Sequence, residues 1–200
     1  MRATIFDYGA GNIHSLTKAI ESFGATVAVE PDPIRAIDTD VLVLPGVGAF
    51  GLAAERLASG RDAMRDAIQQ GLPCLGICLG MQLLFDDSDE AAPGARGLGL
   101  FHGRVTRLRA RRVPQIGWNA VDDLDDALLE RTPLAYAYYA NSYVCRPNDE
   151  SVVRAWSTHE ADRFPAIVRN GSTVGVQFHP EKSSAPGLRF LHAFLHGAAQ

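Results

Sequence analysis

One segment restricts the possible folds more than any other part of the chain. Val41–Leu44 is apolar throughout and stops at the turn Pro45-Gly46-Val47-Gly48. A short apolar run without polar alternation is typical of a strand whose two faces are both buried, as in a parallel sheet. Helices must then cover both faces of that sheet. The segment therefore predicts an α/β fold.

The rest of the first half repeats the alternation of strand and helix. Mostly apolar stretches at residues 3–7, 26–30 and 73–77 indicate further strands. Helices are predicted from Asn12 as N-cap to a stop at Gly24, over residues 51–70, and from about Leu79 onward. This order predicts a doubly wound, mostly parallel sheet flanked by helices.

The second half has a different pattern, with several strands and few helices between them. Strands are predicted near residues 101–108, 135–139, 151–156 and 165–179, and a last helix over 185–195. Asn170-Gly171 between apolar runs is a strong hairpin signal. We therefore expect antiparallel strands to be added to the sheet in this half.

Composition narrows the class of protein. The chain has 200 residues, 46% of them hydrophobic, which fits one domain over residues 1–200. Its net charge of -4 gives no basic footprint for nucleic acid. No apolar run approaches the roughly 18 residues of a membrane helix, and the N-terminus is polar too early for a signal peptide. We expect a cytoplasmic protein without a membrane or nucleic-acid partner.

Gly76-Ile77-Cys78-Leu79-Gly80 has the form of a nucleophile elbow with cysteine as the nucleophile. A sharp turn from strand to helix leaves no room for Cβ atoms two positions before and after the nucleophile. The Leu79 N–H would then point at a developing oxyanion. The alternative is a buried structural cysteine, and we apply that interpretation to Cys74 and Cys145.

A thiol nucleophile needs a base, and the base needs a partner that orients it. His179-Pro180-Glu181 follows an apolar strand, and residues two apart in extended chain face the same side. Pro180 is expected to keep this pair extended. His192 and His196 have a spacing seen in metal sites but lack the accompanying glutamate, so we expect no metal.

The turn Pro45-Gly46-Val47-Gly48 allows two interpretations. A glycine-rich turn after a strand can cradle phosphate, although this one lacks the length and lysine of a P-loop. Alternatively, its backbone N–H groups supply the second donor of an oxyanion hole beside Leu79.

The turn, the elbow and Phe178-His179-Pro180-Glu181 occur in an order that resembles the class I (triad) glutamine amidotransferases. Within that family the chain is most similar to the glutaminase subunits of imidazole glycerol phosphate synthases. The similar segments are residues 7–12, 114–119 and 179–183. The resemblance extends over about residues 4–196.

The resemblance implies a mechanism without a cofactor. Cys78 would form a γ-glutamyl thioester, His179 would shuttle protons, and Glu181 would orient His179. Backbone N–H groups of Leu79, Val47 and Gly48 would stabilise the oxyanion. The residues that the resemblance assigns to binding L-glutamine are Gly46, Gln82, Glu90, Ser142 and Tyr143.

The resemblance also implies a partner. Ammonia would pass to a cyclase subunit with a (β/α)8 barrel in a heterodimer, and Asn12, Lys182 and Ser184 match positions that face it. One position departs from the family pattern, because Asn141 stands where histidine is more frequent. Asn141 can form hydrogen bonds but cannot carry a proton charge.

Two other functions remain open. The chain could serve as the glutaminase of another synthase, such as the one that makes pyridoxal phosphate. It could instead be a non-catalytic, flavodoxin-like scaffold. Residues 7–12 and 117–119 argue against the first, and the intact Cys78, His179 and Glu181 argue against the second.

Overall fold

Strands and helices alternate along the first half of the chain, as the apolar runs predict. The computed structural model describes residues 1–9, 11, 13–126 and 132–198. In these ranges the strands are β1 (Arg2–Phe6), β2 (Thr26–Glu30), β3 (Val41–Leu44), β4 (Cys74–Ile77), β5 (Asp87–Ser88), β6 (Gly103–Arg107), β7 (Gln115–Ala120), β8 (Tyr136–Asn141), β9 (Tyr143–Pro147), β10 (Val153–His159), β11 (Asp162–Asn170) and β12 (Thr173–Val176). The helices are α1 (His14–Glu21), α2 (Pro33–Ala36), α3 (Phe50–Leu57), α4 (Arg61–Gln69), α5 (Leu79–Leu83) and α6 (Ser184–Ala198), and short 3-10 turns cover Glu150–Val152 and Pro180–Lys182.

The central sheet formed by these residues has seven strands in the order β10-β11-β12-β4-β3-β1-β2. The pairs from β12 to β2 are parallel, whereas β10–β11 and β11–β12 are antiparallel. Two smaller sheets, β5-β6-β9 and β7-β8, come from the second half. The predicted fold class is therefore confirmed: a doubly wound, mostly parallel sheet with antiparallel additions in the C-terminal half.

Strand β3 is buried on both faces, which is why its sequence has no polar alternation. Val41 and Val43 pack into the cluster that contains α1 and α6. Leu42 and Leu44 pack into a second cluster that contains α3 and α4. None of the four is more than 1% exposed. The helices thus cover the sheet on both sides, as a parallel sheet requires.

The predicted hairpin at Asn170-Gly171 is present. β11 and β12 pair with Asn170 opposite Thr173, and Gly171 has a φ of 57°. Two strands of the second half were not predicted, β7 and β9. In both, buried and exposed positions do not alternate cleanly, so their sequences lack the period of two that marks a strand.

The prediction of one helix over residues 51–70 is wrong. The segment forms two helices, α3 and α4, which are separated at Ala58, Ser59 and Gly60. Gly60 lies against Pro33, where a Cβ atom would come within 2.8 Å of the proline ring. In α3, Phe50 is buried, whereas Leu52 is 46% exposed.

Some helix ends also differ from the predictions. α1 begins at His14, with Ile13 in the cap position and no side-chain capping bond. Asn12, the predicted cap, lies outside the described residues. α5 has only five residues, because the carbonyls of Leu83 and Leu84 accept from Leu98 and Leu100 instead of continuing the helix. No helix in the described ranges has both the length and the apolar surface needed to cross a bilayer.

Three neighbouring parallel strands end at the same edge of the sheet. The register sets Leu44 of β3 beside Gly76 of β4, and Ile77 of β4 beside Val176 of β12. The segments that follow these strands therefore meet: residues 45–48, the turn at Cys78, and the segment that leads to His179. The carboxyl edge of such a sheet is where α/β folds bind ligands.

The junction between β4 and α5 is too crowded for side chains at its two glycines. A Cβ atom on Gly76 would lie 2.6 Å from the carbonyl oxygen of Gly80. A Cβ atom on Gly80 would overlap the carbonyl oxygen of Leu44 in β3. The glycines thus allow α5 to start directly against the sheet.

We expect Gly80→Ala to lower the free energy of unfolding by about 1–3 kcal/mol, because the added methyl group overpacks the junction with β3. Gly197→Ala is the matched control, since Gly197 also lies in a helix but has open space around it. That control should gain up to about 1 kcal/mol from helix propensity. Urea denaturation measures both, and equal values for the two variants would contradict the crowding argument.

Candidate active site

Cys78 lies at the sharp turn between β4 and α5. Its backbone has φ 49° and ψ -104°, a conformation that costs a residue other than glycine about 1–3 kcal/mol. Two hydrogen bonds hold this turn: the Cys78 N–H donates to the Val176 carbonyl at 2.6 Å, and the Gly80 N–H donates to the Pro45 carbonyl at 3.1 Å. Cys78 is 5% exposed. The geometry has the strained form predicted for a nucleophile elbow.

His179 and Glu181 form a buried pair beside Cys78. The distance from His179 Nδ1 to Glu181 Oε1 is 2.9 Å, and the two side chains are 2% and 8% exposed. The main chain of His179 is fixed as well, since its N–H donates to the Tyr138 carbonyl at 2.8 Å. Its carbonyl accepts from the Ser183 hydroxyl at 2.7 Å.

The backbone between these two residues was predicted incorrectly. β12 ends at Val176, and Pro180–Lys182 form a 3-10 turn rather than extended chain. The fixed φ of proline suits the first position of such a turn as well as it suits a strand. Glu181 therefore reaches His179 because the chain turns back, and the predicted contact forms by a different path.

The environment of His179 favours its charged form. Burial by itself lowers the pKa of His179, but hydrogen bonds and charge interactions with Cys78 and Glu181 outweigh burial and raise this pKa to about 10. A protonated His179 would lie between the Cys78 sulfur and the Glu181 carboxylate, both of which can carry negative charge. A histidine that is oriented by a carboxylate and lies beside a thiol is the arrangement that activation of a thiol nucleophile requires.

The turn at residues 45–48 packs directly against this pair. A Cβ atom on Gly46 would come within 3.1 Å of His179 Nδ1 and 3.2 Å of Cys78 Cβ. The Pro45 carbonyl also accepts a hydrogen bond from the buried Tyr8 hydroxyl. Among the described residues, the N–H groups of Val47, Gly48 and Leu79 have no hydrogen-bond acceptor. These three N–H groups are therefore not committed to a described protein acceptor.

A pocket of about 290 Å³ brings most of the predicted site residues together. It is lined by Gly46, Val47, Gly48, Cys78, Leu79, Gln82, Glu90, Ala140, Asn141, Ser142, Tyr143, His179 and Lys182. Glu181 is not part of the pocket lining, but it contacts His179, which is. Ser184 is exposed and starts α6 outside the pocket lining. Asn12 lies outside the described residues.

Two predicted binding residues already have protein partners. Glu90 Oε2 accepts from the Phe50 N–H at 2.8 Å, at the start of α3. Gln82 Nε2 donates to the Tyr143 carbonyl at 3.1 Å and to Gln177 Oε1 at 3.4 Å. One carboxylate oxygen of Glu90 thus remains for a ligand in the pocket.

Sequence reasoning missed two residues that contact this machinery. Tyr8 holds the Pro45 carbonyl, and Gln177 donates from Nε2 to Cys78 Sγ at 3.5 Å. Gln177 had a usable signal, since it stands two residues before His179 at the end of a strongly apolar run. For Tyr8, nothing local in the sequence points to a contact 37 residues away.

The other cysteines are structural, as predicted. Cys74 and Cys145 are fully buried free thiols, and burial raises the pKa of each. His192 stacks on Phe23, with ring centroids 4.8 Å apart. In the described ranges no cluster of three or more histidine, cysteine, aspartate or glutamate side chains has the geometry to hold a metal ion.

Residues 4–198 match the family model "Glutamine amidotransferase class-I". The chain belongs to the class-I glutamine amidotransferases. It is 44% identical over 199 residues to the imidazole glycerol phosphate synthase subunit HisH of Halobacterium salinarum, covering 96% of this chain and 91% of that protein. It is also 44% identical to a HisH subunit of Thermus thermophilus, over 96% of this chain and 95% of the relative. A solved glutamine amidotransferase shares the fold, with a TM-score of 0.78 at 19% identity over 99% of both chains.

Asn141, where the resemblance led us to expect histidine, lies in the pocket of this amidotransferase. The side chain is 4% exposed and lines the pocket. Its Nδ2 donates to the Tyr143 carbonyl at 3.1 Å, while its Oδ1 is buried without a partner. A neutral amide here leaves His179 as the one imidazole among the residues that line the pocket.

In this amidotransferase, we expect Glu181→Gln to lower the pKa of His179, because glutamine can keep the hydrogen bond but removes the negative charge. The alkaline limb of any activity that requires the imidazolium should move to lower pH by the same amount. The titration of His179 by NMR with labelled histidine, from about pH 6 to 11, measures the change. Glu160→Gln is the control, since it removes an exposed carboxylate beside His159, and an unchanged His179 titration in Glu181→Gln would refute the coupling.

Proposed function

We propose that this amidotransferase is the glutaminase subunit of an imidazole glycerol phosphate synthase. It hydrolyses L-glutamine to glutamate and ammonia, and it delivers the ammonia to a cyclase subunit in histidine biosynthesis. One observation carries the proposal: the strained Cys78 shares a pocket with the hydrogen-bonded pair of His179 and Glu181. The two HisH relatives at 44% identity supply the choice of synthase.

The first half of the reaction forms a thioester. The Cys78 thiolate attacks the carboxamide carbon of glutamine, a C–S bond forms, and the carbonyl electrons move to oxygen. The unpartnered N–H groups of Val47, Gly48 and Leu79 would stabilise that oxyanion. The C–N bond then breaks as the His179 imidazolium gives its proton to the leaving nitrogen, and ammonia departs.

The second half releases glutamate. Water adds to the thioester carbon while His179, now neutral, accepts a proton from it. The tetrahedral intermediate collapses, the C–S bond breaks, and Cys78 returns as a thiolate beside a protonated His179. Glu181 keeps the imidazole ring oriented through both halves by its bond to Nδ1.

The pocket has groups that suit both ends of glutamine. The unoccupied oxygen of Glu90 provides a counter-charge for the substrate ammonium, and Gln82 contributes an amide. The segment of Ser142 and Tyr143 lines the same pocket and would meet the substrate carboxylate. We assign glutamine binding to these four residues together with Gly46, which lines the pocket and packs against Cys78 and His179.

An apolar surface beside the site supports a protein partner. Ile116, Trp118 and Tyr136 are 69%, 54% and 62% exposed. They lie on one face of the β7-β8 ribbon, because Ile116 and Trp118 are two apart and Tyr136 pairs with Ala120. The same ribbon continues into the pocket at Ala140 and Asn141. Exposed aromatic side chains in such a patch are typical of a docking surface.

We propose that a (β/α)8 cyclase subunit docks on this apolar surface to form a heterodimer. Lys182 and Ser184 are exposed and belong to the segment that the ribbon holds, since the Tyr138 N–H donates to the Ser183 hydroxyl at 2.9 Å. The proposed contact would thus cover the 3-10 turn that carries Glu181. Asn12 is proposed for the same interface from the family pattern alone.

Mixing experiments test the function directly. We expect glutamate release from glutamine to rise when the imidazole glycerol phosphate synthase cyclase is added, within the roughly 5–150-fold range usual for coupled sites. Cys78→Ala should abolish the release. The control is the barrel subunit of an unrelated amidotransferase, such as pyridoxal phosphate synthase. Equal stimulation by that subunit, or activity that survives Cys78→Ala, would contradict the proposal.

We expect Trp118→Ala to weaken cyclase binding by about 2 kcal/mol or more, as buried interface tryptophans do. Ile34→Ala is the matched control, because Ile34 is 55% exposed on α2, beside the other edge of the sheet. Isothermal titration calorimetry with the cyclase subunit measures both affinities. Equal affinities for the two variants would exclude the β7-β8 ribbon as the interface.

A further inference from the structure

Gln177 is a fully buried polar residue between β12 and His179. Its side chain is 0% exposed, and its backbone N–H donates to the Ala166 carbonyl of β11 at 2.9 Å. Its Nε2 lies 3.5 Å from Cys78 Sγ, within hydrogen-bonding distance for sulfur. Gln177 does not line the pocket, so it contacts the sulfur from the protein side.

A chain of hydrogen bonds fixes which end of the Gln177 amide faces the sulfur. The Tyr143 carbonyl accepts from Gln82 Nε2 at 3.1 Å, and this nitrogen also donates to Gln177 Oε1 at 3.4 Å. A reversed Gln177 amide would set its NH2 group against the NH2 group of Gln82, which pairs two donors. The observed orientation is therefore the one that satisfies both amides, and it aims the Gln177 donor at Cys78.

The strength of this hydrogen bond depends on the charge of the sulfur. A hydrogen bond to an ionised acceptor is about twice as strong as one to a neutral acceptor. The Gln177 amide therefore favours the Cys78 thiolate over both the thiol and the thioester. Burial of an amide N–H without a hydrogen-bond acceptor also costs free energy. The sulfur of Cys78 is the acceptor that lies within reach of Gln177 Nε2.

We propose that Gln177 is a further catalytic residue, which donates a hydrogen bond to the Cys78 sulfur and thereby stabilises the thiolate. The largest effect is expected when the C–S bond of the tetrahedral intermediate breaks. The electron pair of that bond then returns to sulfur, and the Gln177 donor is already in place. The kinetic part of this inference rests on the proposed glutaminase function, whereas the contact with sulfur does not.

Alkylation of Cys78 by iodoacetamide tests the contact without glutamine or a partner. We expect Gln177→Met and Gln177→Glu to move the pH midpoint of alkylation upward by about one unit, a roughly tenfold loss of thiolate at fixed pH. Mass spectrometry of the Cys78 peptide gives the rate, since Cys74 and Cys145 are fully buried. Gln115→Met is the control, because it places methionine at another buried glutamine, 4% exposed, without touching sulfur.

His179→Asn is the positive control. It removes a neighbour of the Cys78 sulfur that can carry a positive charge, so it should also move the pH midpoint of alkylation upward. If it does so while both Gln177 variants keep the wild-type midpoint, the proposal is wrong. Gln177→Glu covers the case in which Gln177→Met does not fold, since glutamate has the same size and can still accept from Gln82. Circular dichroism checks the fold of each variant.

Steady-state kinetics of the complex with the cyclase provide the second readout. Slower release of the thiolate from the second tetrahedral intermediate should lower kcat by roughly tenfold, and the smaller thiolate fraction of the free enzyme should lower kcat/KM as well, with the fall in kcat/KM becoming smaller at a pH above the shifted midpoint. A thioester should accumulate and be trapped by acid quench. Wild-type values of both kcat and kcat/KM in the Gln177 variants would contradict this role. Absence of wild-type turnover would refute the proposed function and leave the alkylation result standing.

Discussion

The hydrogen bond from the Cys78 N–H to the Val176 carbonyl links the two strands on which the site depends. It lets β4 turn into α5 with Cys78 at a positive φ, and it holds this turn beside the end of β12. Because β12 is parallel to β4, His179 arrives at the same sheet edge as the thiol. That parallel pairing is what brings Cys78 and His179, which are far apart in the sequence, close together. The strain at Cys78 is thus maintained by the central sheet.

The site concentrates charge in a place where water is nearly absent. His179 is 2% exposed and Glu181 8%, and a lone charge at such burial would be costly. His179 lies beside the Glu181 carboxylate and the Cys78 sulfur, and its interactions with both raise the pKa of the imidazole. Gln177 adds a neutral donor to the same sulfur.

Sequence patterns predicted the parts that local physics determines. The apolar run Val41–Leu44 predicts a doubly buried strand, and the glycines around Cys78 predict a crowded turn; both are observed. The close approach of Gly60 to Pro33 joins residues that are distant in sequence, so the sequence pattern did not predict it. The fold of Pro180–Lys182 could not be derived, because proline suits both a strand and a 3-10 turn. The contacts of Tyr8 and Gln177 likewise exist only once the strands are paired.

The turn that carries Val47 and Gly48 is held at both ends by groups from elsewhere in the chain. Tyr8 and Gly80 donate to the Pro45 carbonyl, and Glu90 accepts from the Phe50 N–H. Between these anchors, the N–H groups of the turn are not committed to any described residue. A cation that binds the second oxygen of Glu90 must share that carboxylate with the start of α3. Binding of a cationic group at Glu90 and the position of the segment that starts α3 are therefore linked through one side chain.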